Sequence, residues 1–383
     1  MDLQWLAIIP ILGLLMLVHE LGHFITARRA GIVVEEFGFG LPPRIKGWRY
    51  KGVLYSLNWI PFGAFVRMQG ENGDADTSYG VLDPSGSIQA VENVDQPLAG
   101  TPEGSFSNKS KLTRSIVLAA GSGMNFLTAV VVFAFAYMTG WPTPVPNEVQ
   151  IAEVAVSSPA EAAGLRAGDM VTAVDGQQVT SVEEFQRLVR ERVGGSVALD
   201  ILRDSQKIQT SMTPRVDPPP GQGAIGVKIQ ARTRPVAYNP LESIWLGFRR
   251  AVNVIAFTLA APLMVVQGSL PGEMLRPIGL PGMAQVTSQA VEATRQSGYL
   301  YPLLVMTGTF SAGLAIANML PIPALDGGRL FFILIEAVRG RRISPERESL
   351  VHFVGIVVLI ALMILIAVND IQNPFGTVDF GVR

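Results

Sequence analysis

The sequence predicts an α-helical polytopic membrane protein of about four transmembrane helices, with an inserted small α/β domain and a β-hairpin region lying against the membrane. Three observations carry that prediction. Of 383 residues, 49% are hydrophobic and only 16% charged; with a positive mean hydropathy, this is too apolar for a water-soluble chain of such size. Four separate apolar runs are long enough to cross a bilayer as helices. Between the second and third of them the pattern changes to alternating strands and one helical period. A net charge of −1 without a basic face gives no support to nucleic-acid binding. Cysteine is absent, which removes disulfides, thiolate nucleophiles and Cys-based metal sites, so a metal would have to be held by His, Asp or Glu.

The elements follow in order. Residues 1–27 form the first transmembrane helix: between Leu3 and Ile25 the only polar side chains are Gln4, His19, Glu20 and His23. The run lacks the basic start and small-residue cleavage pattern of a signal peptide, so it is expected to be retained. Residues 28–112 are rich in β-formers punctuated by Gly and Pro (GIVVEEFGFGLPP, YSLNWIPFGAFVRM), which predicts short strands or hairpins against the membrane, followed by a polar, mobile loop over 70–108. The second span covers 113–140. Residues 149–230 read as a small soluble domain, with strands at VTAVDG and SVALDIL and a helix at VEEFQRLVRE. Residues 231–298 are a juxtamembrane segment whose apolar run at 243–268, carrying Arg249 and Arg250, either crosses the membrane or lies on it. The third span is 299–328 and the fourth 351–369.

Lys and Arg crowd the 28–114 and 329–347 connections, which are therefore expected to be cytoplasmic. That places the 149–230 domain and both termini outside, in a multi-pass protein of the cell's inner membrane.

The chemistry lies in His-Glu-Leu-Gly-His, residues 19–23. Side chains four apart share a helix face, so the His19 and His23 imidazoles can converge on one ion. Glu20 sits one step round, within reach of a water but outside the ligand pair, as in zinc peptidases. Ionisable groups inside an apolar span need such a reason. A catalytic site needs a third protein ligand. His352 qualifies by type but stands alone; Asp326 is the better candidate, in ANMLPIPALDGGR, where Pro321 and Pro323 break the helix and Gly327 and Gly328 let the backbone bend. Unwound backbone at membrane depth is tolerated where it lines a cavity.

Two resemblances add to this. SPAEAAGLRAGDMVTAVDGQQV resembles the PDZ domains of bacterial envelope proteases, which implies a peptide or C-terminus as partner in its groove. HELGH, the PDZ-like insert and NMLPIPALDGG together resemble the site-2 protease family, the bacterial regulatory intramembrane zinc proteases, over nearly the whole chain. The resemblance implies that His19, His23 and Asp326 bind Zn²⁺, that Glu20 activates water, and that Asn318 and Asn125 contact the substrate. AAGSGMN carries Gly121, Ser122 and Asn125 but lacks the proline common in the family's second span.

The expected activity is hydrolysis of peptide bonds in or near the transmembrane helix of single-span membrane proteins, an anti-sigma factor or a signal-peptide remnant for instance. The external domain would screen bulky ectodomains. Two rival readings remain at this level. A membrane metal-ion transporter would have no need of Glu20, and a catalytically silent PDZ scaffold would tolerate its loss.

Overall fold

The computed structural model of the chain describes residues 3–71, 81–82, 88–89, 104–219, 222–340, 343 and 345–381. Two compact units emerge: Met1–Thr139 with Tyr238–Phe380, and Gly140–Ala237 with Gly381–Arg383.

A 3-10 turn over Leu3–Ala7 leads into helix α1, Ile8–Arg29. Pro10 falls in its first turn, where a missing N–H leaves no bond unmade. Arg28 and Arg29 close its last turn, favourable at the negative end of the helix. Strands β1 (Val34–Tyr50) and β2 (Val53–Met68) follow, joined at Lys51 and Gly52, both at positive φ. That pairing of left-handed residues is what a two-residue hairpin requires. Both long strands double over: Glu36–Phe39 lies between Leu54–Leu57 on one side and Ala64–Arg67 on the other, while Arg44–Tyr50 pairs with Val53–Asn58. Glu36 is buried at the centre and receives Arg44 and Arg67, each at 3.0 Å. A buried carboxylate needs such partners. The two-residue strands β3 (Val81–Leu82) and β4 (Ile88–Gln89) pair with each other. Most of the loop expected over 70–108, namely 72–80, 83–87 and 90–103, lies outside the described residues.

Helix α2, Lys111–Gly140, packs on α1 almost backbone to backbone. A methyl group added at Gly22 would come 2.7 Å from the Ala120 carbonyl carbon, and close approach of this kind is how small residues join helices in a membrane.

The second unit is a five-strand path with a short sixth strand. Its elements are β5 (Trp141–Val154), α3 (Pro159–Ala162), β6 (Met170–Val174), β7 (Gln177–Gln178), α4 (Val182–Arg190), β8 (Val197–Arg203), β9 (Gln206–Met212) and β10 (Val227–Val236). The order is β10-β5-β6-β8-β9, with β7 paired to β6. Ser158 and Ser181 cap α3 and α4 by accepting the Glu161 and Glu184 amides, each at 3.1 Å. Ile151, Val171, Phe185, Leu199 and Ile201 form the core between sheet and helices. Asp169 is closed off by Arg203 at 2.7 Å. The sheet starts earlier and ends later than the expected 149–230. Trp-Pro-Thr-Pro-Val-Pro looks like a linker, yet Pro142 and Pro144 pair with Pro235 and Thr233 in a stretch that only β10 flanks. Proline is admitted where no ladder amide is needed.

The rest of the first unit is helical: α5 (Pro240–Val266), α6 (Leu280–Ser297), α7 (Tyr301–Met319), α8 (Asp326–Arg339) and α9 (Pro345–Gln372). The 231–298 segment is thus the end of β10 and two helices. Its apolar run forms one continuous helix, and five helices among the described residues are long and apolar enough to cross a membrane. The expected third span, 299–328, is not one helix. It stops at Met319, and Asp326 opens a separate helix, because Pro321 and Pro323 cannot donate to a continuing ladder.

Gly279, the residue before α6, has no side chain to cap with. Asp370 of α9 does so instead: its Oδ2 accepts the Gly279 and Gly282 amides at 2.8 and 3.1 Å, and its Oδ1 accepts from Arg276 at 2.9 Å. His23 lies beside Val117 and His19 beside Asn125, so α1 and α2 are antiparallel. Gly308 lies against Phe133, and the Ser311 hydroxyl donates to the Asn125 carbonyl, so α7 runs antiparallel to α2 and parallel to α1.

Candidate metal centre

His19 and His23 lie in the C-terminal half of α1, both buried. Asp326 reaches them from the first turn of α8, where a carboxylate also suits the positive end of the helix. Gly327 and Gly328 are demanded by packing: a methyl group at either would meet carbonyls of the unwound Met319–Ile322 backbone closer than 3 Å. Among the described residues, these three are the one set of His, Asp and Glu whose ligand atoms converge.

Asp326 Oδ2 is 3.0 Å from His19 Nε2 and 3.2 Å from His23 Nε2, and the two Nε2 atoms are 3.2 Å apart. The other ring nitrogens decide what these atoms are. His23 Nδ1 donates to the Val117 carbonyl at 2.8 Å, leaving a lone pair on Nε2. His19 Nδ1 lies 3.2 Å from the Asn125 amide and 3.5 Å from that of Asn318. Asn125 is completely buried and its Oδ1 has no partner. With the amide turned so that its oxygen accepts the Nδ1 proton, His19 Nε2 also carries a lone pair.

Three acceptors then face one another with no donor among them, a repulsive arrangement that a cation between them makes attractive. Tetrahedral zinc with ligands about 2.0 to 2.1 Å away has ligand–ligand edges of about 3.3 Å, so the triangle has the dimensions of one tetrahedral face. The donor set therefore fits zinc with three protein ligands and leaves one coordination position open.

Glu20 is half-buried and stands outside the triangle. Gly121 is pressed on the imidazoles: a methyl group there would stand 2.7 Å from His19 Nε2. Val117, Gly121 and Asn125, four apart on α2, thus present one face to the two rings.

Two features escaped the sequence pattern. Arg329, on the first turn of α8, pairs with Glu71 just after β2. His352, weighed as a ligand from sequence, stands apart from the triangle; its Nδ1 accepts the Ala324 amide at 2.8 Å. Nothing local marks either contact, because both depend on how distant segments come together.

A family model described as peptidase family M50 matches residues 7–362. The zinc metalloprotease RasP of Oceanobacillus iheyensis is 31% identical, over 96% of this chain and 99% of its own. The regulator of sigma-W protease RasP of Bacillus subtilis is 28% identical, over 97% of this chain and 98% of its own. The PDZ domain of an SdrC-like protein from Listeria monocytogenes is similar in structure at 24% identity and a TM-score of 0.20, covering 23% of this chain and 92% of that one.

Proposed function

This chain belongs to peptidase family M50, the site-2 proteases, and from that membership and the converging acceptors we propose how its residues divide the work. The protein is a multi-pass membrane zinc metalloendopeptidase, which removes the transporter and silent-scaffold readings. His19 and His23 would hold zinc through Nε2 and Asp326 through Oδ2; the single observation carrying this is the convergence of these three ligand atoms at 3.0–3.2 Å from one another. Zinc, when bound, lowers the pKa of a water and polarises a scissile carbonyl.

Val117 and Asn125 keep the imidazoles in the tautomer that leaves Nε2 free. Asn125 is spent on His19 and fully buried, so it serves the ring and not the substrate. Asn318, half-buried beside the same ring, is the residue left to donate to a substrate carbonyl. Glu20 takes a proton from water onto its carboxylate and returns it to the departing nitrogen.

The parallel course of α1 and α7 bears on topology. Tyr238, at the start of α5, donates its amide to Tyr137 near the end of α2. After α5, Arg276 reaches Asp370, 18 residues and about 27 Å along α9 from His352. Both places lie at the same end of the bundle, so α5 brings no net crossing. Four spans then put the basic 28–114 and 329–340 residues in the cytoplasm and the 140–237 unit outside.

Exposed Trp48, Tyr50 and Trp59 on the first sheet support its lying against the membrane. A relative called regulator of sigma-W protease favours a membrane-tethered regulator as substrate, with signal-peptide remnants as the other class. The 140–237 unit would take a peptide or a C-terminus as a PDZ groove does.

The test is Glu20→Gln, purified and incubated with single-span peptides with and without chelator. Zinc content should stay at the wild-type level while the cleavage rate falls by about 10²-fold or more. Cleavage that survives the substitution would remove Glu20 from the mechanism.

A further inference from the structure

The six residues between α7 and α8, Leu320 to Leu325, carry the backbone that delivers Asp326. Two of them, Pro321 and Pro323, have no N–H. Of the other four, Leu320 donates to Ala317, Ile322 to Leu320 and Leu325 to Ile322, all local bonds. Of these amides, the Ala324 one alone reaches a helix distant in sequence, donating to His352 Nδ1 of α9 at 2.8 Å.

Ala324 also has a φ of +78°, a left-handed conformation that an alanine holds only when its surroundings impose it. Gly355, one turn after His352 on the same face, lets α9 close on this backbone: a methyl group there would lie 2.8 Å from the Pro323 oxygen. The His352 ring is 5.4 Å from that of Phe332 on α8, so it touches both the loop and the helix that Asp326 begins.

We infer that His352 is a positioning residue, a neutral imidazole whose Nδ1 holds the Ala324 amide and so fixes the loop that sets the Asp326 carboxylate against His19 and His23. The inference rests on the reading of Asp326 as a zinc ligand. An acceptor at Nδ1 forces the ring proton onto Nε2, which is buried without a hydrogen-bond partner; the Glu348 carboxylate is 4.0 Å away. The ring is thus committed to one bond, and that bond ends two residues from the carboxylate. Ligand positions have to be held within about 0.5 Å, a tolerance that a loop freed of this hydrogen bond would exceed.

The experiment compares His352→Asn, His352→Gln and His352→Leu in the full-length, zinc-loaded enzyme, with Asp326→Asn as reference. Asparagine places an amide oxygen where Nδ1 was; glutamine has the same head group but carries its oxygen to the Nε2 position; leucine fills the volume without an acceptor. Two quantities are read: the rate of zinc loss to a chelator, and kcat and KM on a single-span peptide. Leucine and glutamine should release zinc about tenfold faster than wild type or more, and asparagine within about threefold of it. The kcat should fall in the same order at nearly constant KM.

Were His352 only filler between α8 and α9, leucine would match or exceed asparagine, and that order overturns the proposal. Equal losses for asparagine and glutamine overturn it too. If leucine does not fold, the two amides decide the matter alone. Zinc loss in Asp326→Asn with wild-type retention in the glutamine and leucine variants refutes the role of His352 alone, whereas full retention in Asp326→Asn refutes the ligand reading beneath it.

Discussion

Gly121 leaves no room for a side chain, since a methyl group would stand 2.7 Å from His19 Nε2 and a similar distance from its Cε1. Gly121→Ala should therefore push the imidazoles off their common point while leaving the rest of α2 intact, alanine being the better helix former. The expected outcome is at least about a tenfold loss of zinc affinity, read by competition with a chelator, with helicity by circular dichroism unchanged. Wild-type affinity would mean that the rings have slack the distances deny. At this scale the sequence was informative where spacing alone sufficed: His19 and His23 share a face because they are four apart. The partner of each second ring nitrogen was hidden, since Val117 and Asn125 reach the rings through the register between two helices. His352 was legible as an unusual residue but not in its use.

Among the elements, α6 is the one whose start depends on another helix. Asp370 supplies the cap that Gly279 lacks and also closes the charge of Arg276. Asp370→Asn keeps the shape and removes the charge, weakening three bonds at once; detergent-solubilised protein should lose about 1–3 kcal/mol of stability, visible as a lower Tm. No change in Tm would make the cap incidental. Element types followed the sequence closely where periodicity was long, as in α1, α2 and α9. The start of the second unit was missed because proline was read only as a breaker, whereas in β5 it sits where no amide is called for. Between α7 and α8 the prolines break the helix as the sequence indicates, and only the span drawn on to Gly328 was too long. The doubling of β1 and β2 was out of reach, because strand alternation does not reveal which strands become neighbours.

For the whole molecule, the absence of native cysteine offers a clean test of topology. Ser205→Cys, in the turn between β8 and β9, should react with a membrane-impermeant maleimide on intact cells, and Ser110→Cys, just before α2, only after permeabilisation. The reverse pattern would invert the proposed orientation. The hydropathy runs conveyed a membrane protein with an inserted domain, yet the run in α5 could not be assigned, since crossing and not crossing leave the same composition. His19 and Asp326 are 307 residues apart, and a folded unit of its own, Gly140–Ala237, intervenes. With the proposed ligand set, a ribosome making this chain exposes both histidines long before the third donor exists, so the half-made enzyme would be unable to cut the nascent helices around it.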